Sequence, residues 1–482
     1  MHILLIKPHL EEFPILKKIK KHPLIFGTLL LSCAGIISRI LGFFYKIFLS
    51  RTIGASGLGL YQLIFPIFSL CLAISTSGIQ TAISRFVAIE ISKNKSNEKN
   101  ARKYLYAGLL TSISICGFFT IIVHTFAPWI ANVILKEPRT EELLKIMSFT
   151  FIPAAIHSCF NGYFYGKKNS VIPSVCQILE QIARIGGTLL ICMVLSDQNL
   201  PILATHAVWG LVISECMGFL VCITGFLGQK TETSDENLYE NDSTDFNYLS
   251  NYTKNTFSDK NKTSSILPIK TLLCMAIPLS LNHVLMSLSN SIENMLIPQQ
   301  LMAFGFSSEE ALSHFGILTG MALAIIFFPA VITNSLSVLL LPRISEAKAQ
   351  NDTSLVLDTI KGAAACGIAF GSLCTFFFLF SSDWIGRYIF DNAVAGFYVQ
   401  ILSILCPFMY TSGLLSSIVN GLGYAHLTLI CNLSGCLVRI LAIWIFMPQY
   451  GMYTYIFSLI GAALLTTVGL AGVVYYVVHN QA

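Results

Sequence analysis

The chain has 482 residues, of which 54% are hydrophobic and only 11% are charged, and its mean hydropathy is +0.69. Soluble globular domains carry about 25% charged residues. This composition therefore excludes a soluble globular domain and predicts a protein that lies in a lipid bilayer. The net charge of +5 is too modest to indicate a nucleic-acid-binding surface, so we expect no nucleic-acid partner.

The basic segment 1–23 precedes the first of twelve hydrophobic stretches of membrane length. A helical span needs about 20 apolar residues. The first stretch has that length and lacks a clear cleavage site, so we expect a retained span rather than a signal peptide. The predicted spans of this all-α polytopic membrane protein are 24–50, 59–90, 103–127, 141–165, 171–196, 201–227, 267–298, 313–342, 356–382, 395–421, 425–447 and 452–479.

Arg39 and Lys46 lie seven residues apart in the first span, on nearly the same helical face. Charged groups at bilayer depth are costly, so each is a candidate functional residue. Arg39 either makes a bidentate contact with the phosphate of an anionic substrate or ties down a helix through backbone carbonyls. Lys46 either extends the cationic surface of a cavity or reaches the lipid headgroups.

Four further cations are candidate substrate-binding residues. Arg85 and Arg343 end the second and eighth spans, where they act either as membrane anchors or as entrance charges for an anionic headgroup. Arg184 follows Glu180 by four residues, a spacing that favours an intrahelical ion pair. Arg439 has no acidic residue four positions earlier, so we expect its partner elsewhere in the fold or in a substrate phosphate.

Glu293 in the seventh span is a candidate for coupling transport to protons or Na⁺, with Asn282 and Asn290 nearby. The alternative is a hydrogen-bonded contact between helices. Glu215 in the sixth span is interpreted as structural. The cysteines lie in predicted spans without a CxxC pair, which predicts neither a disulfide framework nor a metal site. We expect no cofactor beyond a coupling ion or the membrane potential.

A polar segment at 228–266 divides the hydrophobic chain into two parts, 24–227 and 267–482. Asn, Asp, Ser, Thr and Lys dominate this segment, which predicts a flexible linker. Loops on the side of the N-terminus hold 20 of the 30 Lys and Arg residues, and loops on the other side hold 4. The positive-inside rule then predicts that both termini lie in the cytoplasm.

The two parts of the chain resemble each other. Five residue pairs match in order at offsets between 254 and 259 residues: Arg85 and Arg343, Lys103 and Lys361, Pro153 and Pro407, Asn161 and Asn420, and Arg184 and Arg439. Six-span repeats keep one orientation in the membrane and are related by an axis along its normal. The repeat predicts two six-helix lobes that rock around a substrate site between them.

Several segments resemble the polysaccharide-flippase families of the multidrug/oligosaccharidyl-lipid/polysaccharide (MOP) exporter superfamily. The matching segments are 38–43, 54–61, 76–85, 292–298, 316–320 and 341–347. The resemblance covers about residues 24–480. It is greatest to the stage V sporulation protein B group, which is related to the MurJ family of lipid II flippases.

The resemblance implies a V-shaped, MATE-like fold that moves undecaprenyl-linked sugars from the cytoplasmic to the outer leaflet. In lipid II flippases the arginine of the Ser-Arg-x-Leu-Gly motif lines the central cavity, which implies that role for Arg39. Tyr45 stands where that family has a second arginine, and Lys46 follows it.

We therefore expect a flippase, not an enzyme, for a lipid II-type peptidoglycan precursor or a polysaccharide unit of the spore cortex or cell wall. Its expected partners are that lipid-linked sugar, membrane lipids and cell-wall synthesis proteins, and we expect a monomer. The alternatives are a cation-coupled multidrug exporter, a non-transporting scaffold of an envelope-synthesis complex, and a membrane-embedded glycosyltransferase. The cations of the first span count against the exporter, and the absence of an Asp-x-Asp motif counts against the transferase.

Overall fold

The computed structural model describes residues 23–93, 98–198, 200–228, 266–350 and 353–479, and the regular structure in these ranges is helical. Within these ranges, ten helices are long and apolar enough to cross a membrane, and two bent helix pairs raise the number to twelve. This confirms the predicted all-α polytopic fold. Residues 1–22 of the basic N-terminus and 229–265 of the polar segment lie outside the described residues.

The first half of the chain forms six spans. Its helices are α1 (Pro23–Thr52), α2 (Gly54–Leu72), α3 (Gly78–Lys93), α4 (Glu98–Thr125), α5 (Thr140–Ser148), α6 (Phe151–Gly166), α7 (Val171–Asp197) and α8 (Ala204–Gly228). A π-helical turn at Ala73–Ser77 joins α2 and α3 into one span. Helices α5 and α6 make another span, which is bent by 43°.

The second half of the chain repeats this plan. Its helices are α9 (Ile266–Phe304), α10 (Ser308–Gly316), α11 (Leu323–Phe327), α12 (Ala330–Ala349), α13 (Thr353–Trp384), α14 (Ala393–Leu402), α15 (Leu405–Gly421), α16 (Ala425–Tyr450) and α17 (Met452–His479). A π-helical turn at Ile317–Ala322 joins α10 to α11. Helices α14 and α15 form a span bent by 55°.

Three prolines within the predicted spans lie at breaks between helices. Pro153 and Pro407 lie in the first turns after the two bends, and Pro329 lies in the break between α11 and α12. Pro66 and Pro278 lie inside uninterrupted helices. Because proline lacks an N–H, it is best tolerated in the first turn of a helix, where that N–H has no partner.

Helix α4 shows which side chains of a span face outward and which face the interior of the protein. Leu110, Phe118 and Ile121 turn outward with 60% or more of their surface exposed. Ser112 is buried and its hydroxyl donates to the carbonyl of Ser75 at 2.7 Å. Helices satisfy their backbone groups internally, so an apolar outer surface can meet lipid directly. The chain is a multi-pass membrane protein, and in α4 the polar side chain of Ser112 points inward while the apolar side chains face outward.

The alternating spans define two membrane faces, which we name the Pro23 face and the Thr52 face after the two ends of α1. At the Pro23 face, Lys348 Nζ donates to the carbonyl of Leu422 at 2.6 Å. At the Thr52 face, Gln299 Nε2 donates to the carbonyl of Ile134 at 2.6 Å. The second contact joins the two halves of the chain.

The internal repeat predicted from sequence appears in matching hydrogen bonds. Thr120 Oγ1 donates to the carbonyl of Ser148 at 3.2 Å, and Thr375 Oγ1 donates to the carbonyl of Ser403 at 2.7 Å. Both bonds join the span before the bend to the bend itself. In each half, one residue between the two bonded residues has a left-handed backbone conformation at the matching position: Lys136 (φ 54°) in the first half and Asp391 (φ 53°) in the second.

At the Thr52 face the two halves pack backbone against backbone. A methyl group added at Gly316 of α10 would lie 2.6 Å from the nitrogen of Gly59 of α2, so no side chain fits there. Beside this contact, Arg51 Nε donates to the carbonyl of Ile389 at 2.9 Å, and Arg51 also donates to the carbonyl of Tyr388. These contacts close the Thr52 face between the halves.

A buried carboxylate adds a further contact at the same face. Glu137, in the loop before α5, accepts from Arg139 Nε at 2.7 Å and from the hydroxyl of Ser308 at the start of α10. Burial raises the pKa of the Glu137 carboxyl, but the hydrogen bonds from Arg139 and Ser308 outweigh burial and hold that pKa below its usual range. Glu137 is therefore a charged bridge between the halves at neutral pH.

Candidate functional site

Two adjoining cavities lie between the halves of the chain, with volumes of about 690 and 500 Å³. Helices α1, α2 and α7 of the first half and α11, α12 and α15 of the second half enclose the larger one. The smaller cavity lies toward the Pro23 face, where Ser170 lines it. Three residues line both cavities: Arg39, Val331 and Asn334.

The larger cavity collects three of the predicted substrate-binding cations. Arg39 and Lys46 reach it from α1, and Arg184 reaches it from α7. In the part of the chain that the structure describes, neither Arg39 nor Lys46 has a hydrogen-bond or ion-pair partner. Two cations without protein countercharges thus face a cavity of ligand size.

Among the described residues that line the cavities, Arg184 is the one cation with protein partners. Its Nη2 and Nε lie 3.2 and 3.3 Å from the hydroxyl of Ser214, and Nη2 lies 3.9 Å from Glu215. Thr188, one turn later, accepts or donates a 3.0 Å hydrogen bond with the Tyr45 hydroxyl in the cavity wall. The 3.9 Å separation leaves Arg184 only loosely paired with Glu215.

A polar cluster that sequence reasoning missed lies behind Arg184. His157 of α6 lies between two carboxylates: its Nε2 is 3.0 Å from Glu215 of α8, and its Nδ1 is 3.3 Å from Glu180 of α7. The geometry at Nδ1 makes no hydrogen bond. Cys176 of α7 donates to Glu180 at 3.0 Å. The sequence feature that could have pointed to this cluster was the four-residue spacing of Cys176, Glu180 and Arg184, which places them on one face of α7.

The cluster corrects the expected intrahelical pair between Glu180 and Arg184. Glu180 lies beside His157, and Arg184 lies beside Ser214 and Glu215. Each of the two α7 residues therefore contacts a side chain of another helix rather than its neighbour on α7. Glu180 also lines the smaller cavity. His157, Cys176 and Glu180 offer three potential metal-ligating atoms within 4.8 Å of one another, a grouping that the sequence analysis did not predict.

In the second half, Arg439 and Glu293 occupy a different environment. Arg439 Nε lies 3.0 and 2.9 Å from the two carboxylate oxygens of Glu293, and the hydroxyl of Tyr455 donates to the same carboxylate at 2.9 Å. Glu293 is 4% exposed. Neither residue lines the two cavities. The partner expected elsewhere for Arg439 is thus Glu293.

The remaining predicted site residues lie apart from the cavities. Asn282 and Asn290 are exposed on α9 and do not share the buried environment of Glu293. Arg85 lies on α3 and Arg343 lies exposed on α12, both in the half of the span near the Pro23 face. The structure therefore brings together Arg39, Lys46 and Arg184, and leaves the other predicted residues outside that group.

With this geometry established, comparison with known proteins identifies the family. Residues 24–298 match the family described as "Polysaccharide biosynthesis protein". The chain belongs to this family. It is also 26% identical to Stage V sporulation protein B of Bacillus subtilis (strain 168) over 452 residues, which cover 93% of this chain and 82% of that protein.

Two solved structures share the fold. The inward-facing conformation of a multidrug resistance MATE family transporter of the MOP superfamily has a TM-score of 0.67 at 14% identity, covering 92% of this chain and 95% of that one. Lipid II flippase MurJ in an inward closed conformation has a TM-score of 0.64 at 16% identity, covering 94% and 87%. Similar proteins are thus membrane transporters and flippases, not enzymes, and the family member described here has the MATE-like fold predicted from its sequence.

Proposed function

We propose that the protein flips an undecaprenyl-diphosphate-linked sugar across the membrane, with the diphosphate bound by Arg39, Lys46 and Arg184. The observation that carries this proposal is the charge of the larger cavity. Three cations face it, and its lining among the described residues contains no carboxylate. A diphosphate away from water needs countercharge, and a guanidinium matches phosphate geometry in a bidentate contact.

The smaller cavity suits the sugar. Asn161, Gln177, Ser170 and Asn334 line its volume of about 500 Å³. Amide and hydroxyl groups both donate and accept hydrogen bonds, as sugar hydroxyls require. The headgroup therefore occupies the two cavities, and the polyprenyl tail stays in the bilayer.

Transport runs from the Pro23 face to the Thr52 face. The excess of Lys and Arg in loops near the N-terminus supports a cytoplasmic Pro23 face with both termini inside. The contacts of Gly59 with Gly316 and of Arg51 with Ile389 close the Thr52 face, so substrate loads from the cytoplasm. Parts 24–227 and 267–482 rock as two lobes, and Arg85 and Arg343 attract the anionic headgroup at the entrance.

The relatives favour a cell-envelope cargo. One solved structure of the same fold is a lipid II flippase, and one relative is a stage V sporulation protein. The cargo is accordingly a lipid II-type peptidoglycan precursor or a polysaccharide unit for the spore cortex or cell wall. The MATE likeness raises a multidrug exporter as the second candidate, but three cations repel cationic drugs from the larger cavity.

Binding of a prenyl diphosphate tests the proposal. The full chain, purified in detergent, is titrated with farnesyl diphosphate and with uncharged farnesol. Because hydrogen bonds to charged groups contribute about 1.5–3 kcal/mol, Arg39→Ala should weaken diphosphate binding about 10- to 100-fold. Arg387→Ala removes an exposed arginine outside the cavity and serves as the control. Equal binding of the diphosphate by the Arg39→Ala variant would overturn the proposal.

A further inference from the structure

Three side chains with metal-binding atoms meet between α6 and α7 in the first half of the chain. His157 Nδ1, the sulfur of Cys176 and a carboxylate oxygen of Glu180 lie within 4.8 Å of one another. We name these three residues, together with Glu215 of α8, the His157 cluster. Zinc ions with an open coordination position are held in proteins by three ligands of these types and a water molecule.

The imidazole of His157 has the orientation of a metal ligand. Its Nε2 lies 3.0 Å from the carboxylate of Glu215, and its Nδ1 faces Glu180 at 3.3 Å. Nδ1 is shielded from water and makes no hydrogen bond, although buried polar atoms normally have a partner. Metal-bound histidines donate their other ring N–H to a carboxylate or carbonyl, which fixes the tautomer. Glu215 in that role leaves the Nδ1 lone pair for a metal.

Cys176 and Glu180 lie one helical turn apart on α7, so their ligand atoms approach the same point. The sulfur lies 3.0 Å from Oε1 of Glu180, and Nδ1 of His157 lies 3.3 Å from the same oxygen. Two ligand atoms of one tetrahedral zinc ion are about 3.3–3.8 Å apart, given bond lengths of about 2.0–2.3 Å. Side-chain shifts of roughly half an ångström therefore accommodate the metal.

Helix α8 supports these ligands from behind. A methyl group at Gly218 would overlap Oε1 of Glu180, so glycine at this position leaves the space that the carboxylate occupies. The S–H of Cys222 points to the sulfur of Cys176 at 3.6 Å. Hydrogen bonds to the ligating groups are a regular feature of metal sites. The surroundings therefore hold both α7 side chains in place.

A divalent cation balances the charges of the His157 cluster. Glu180 and Glu215 carry two negative charges, and Arg184, which lies 3.9 Å from Glu215, carries one positive charge. A zinc ion that displaces the thiol proton of Cys176 brings two positive charges and creates one negative charge. With a neutral imidazole the loaded cluster is then uncharged as a whole, which burial within membrane-spanning helices favours.

We propose that His157, Cys176 and Glu180 bind one Zn²⁺ ion. Imidazole and thiolate ligands select zinc, whereas Mg²⁺ and Ca²⁺ take oxygen ligands. Bonds form from the metal to Nδ1, to the sulfur and to a Glu180 oxygen; the thiol proton leaves to water, and no electron is transferred. Glu180 lines the smaller cavity, from which a water molecule completes the four-coordinate shell. Glu215 orients the imidazole and does not itself bind the metal.

The ion joins α6 to α7 one turn before Arg184. Its ligands thereby hold the part of α7 that carries this cavity cation. A ligand that binds only the folded state stabilises it, so Zn²⁺ should also raise the unfolding temperature of the chain. The inference goes beyond the proposed function and does not rest on it, because zinc binding needs no diphosphate.

Cobalt(II) binding tests the site. The full chain, purified in detergent and stripped of metal with a chelator, is titrated with Co²⁺, whose bond to a thiolate gives an absorption band. The wild-type chain should bind one Co²⁺ with this band, and added Zn²⁺ should abolish it by displacement. Cys176→Ser should lack the band. Cys192→Ser removes another buried cysteine of the same helix and, as the matched control, should keep it.

The orienting role of Glu215 has its own readout. Glu215→Gln should bind Co²⁺ about 10- to 100-fold more weakly, as is typical when the hydrogen-bond partner of a metal-bound histidine is changed. The band should still appear at saturating Co²⁺, because all three ligands remain. Wild-type affinity in Glu215→Gln would overturn this role.

X-ray absorption of the wild-type chain loaded with Zn²⁺ needs no variant. One sulfur at about 2.3 Å and nitrogen or oxygen neighbours at about 2.0–2.2 Å are expected around the metal. The inference is overturned if the wild-type chain shows no sulfur band with Co²⁺, if Cys176→Ser keeps that band, or if the bound zinc has no sulfur neighbour. Farnesyl diphosphate binding is measured separately and decides the proposed function, so the two proposals fail independently.

Discussion

Arg439 Nη2 lies 2.8 Å from Glu293 Oε2, although 146 residues separate the two in the chain. The contact joins α16 to α9 inside the second half. Both side chains are largely buried, and Tyr455 completes the hydrogen bonding of the carboxylate. Because the charges balance within the protein, the pair stabilises helix packing without needing a substrate or an ion.

The pair predicts a stability effect that distinguishes it from an ion-coupling site. Removing one partner of a buried pair leaves an uncompensated charge and costs about 3–5 kcal/mol. Glu293→Gln should therefore lower the free energy of unfolding by that amount, whereas Glu293→Leu combined with Arg439→Met should recover most of it. Unfolding of the purified chain in mixed micelles by increasing denaturant measures both.

The opposite outcome would restore the ion-coupling prediction for Glu293. In that case Glu293→Gln would unfold at the wild-type denaturant concentration, and transport would lose its dependence on H⁺ or Na⁺. Asn282→Ala and Asn290→Ala, on exposed positions of the same helix, serve as controls. They should leave unfolding unchanged within about 0.5 kcal/mol.

The glycine contact at the Thr52 face predicts a conformational effect. A methyl group at Gly316 would lie 2.6 Å from the nitrogen and 3.0 Å from the Cα of Gly59, so Gly316→Ala should force α2 and α10 apart. Amide hydrogen exchange in peptides covering 54–60 and 312–322 should then speed up several-fold. Gly117→Ala is the control, because open space surrounds that position. Wild-type exchange in the Gly316 variant would show that the halves do not need this contact.

Glu137 predicts a pH dependence at the same face. Its pKa is held below the usual range in the folded state, so its contribution to closure is fully present above the usual glutamate value of about 4.3. The contribution is lost as the pH falls through the lowered folded pKa. Lowering the pH from 7 toward 3 should therefore reduce the protection of amides at the start of α10, measured as exchange relative to the intrinsic rate of an unprotected amide at each pH.

Glu137→Gln should abolish that pH response, because an amide does not titrate. Exchange at the start of α10 should already be fast in this variant at pH 7. Glu142→Gln, on the neighbouring helix α5, should retain the wild-type profile. An unchanged acid response in Glu137→Gln would assign the response to another group.

The spans were predictable because hydrocarbon thickness imposes a length that apolar runs must match. The exact residues at which the helices start and break were harder to predict. The second span was predicted at 59–90 but begins at Gly54, and the eighth, predicted at 313–342, starts at Ser308 and is broken at Phe328 and Pro329. Both helices start before their apolar runs, at the face where Gly59 and Gly316 bring the two halves into contact, and periodicity alone does not report such contacts.

The lining of the candidate cavity was predictable where one helix supplies it. Arg39 and Lys46 share a face of α1 by their spacing, and both line the larger cavity. Partners from different helices were not predictable: the spacing of Glu180 and Arg184 favoured a pair, but His157 and Glu215 approach from α6 and α8. One sequence does not reveal which helices become neighbours, so the His157 cluster emerged only from the fold.

Flipping in liposomes tests directly whether the cationic cavity carries a lipid-linked sugar across the membrane. Purified chain is reconstituted with fluorescent lipid II or another undecaprenyl-diphosphate-linked sugar, and a membrane-impermeant quencher reports the leaflet. We expect protein-dependent flipping that Arg39→Ala and Lys46→Ala each reduce at least about 10-fold, while Arg387→Ala leaves it unchanged. Flipping at the wild-type rate by the combined Arg39→Ala and Lys46→Ala variant would show that the cavity cations do not carry the substrate.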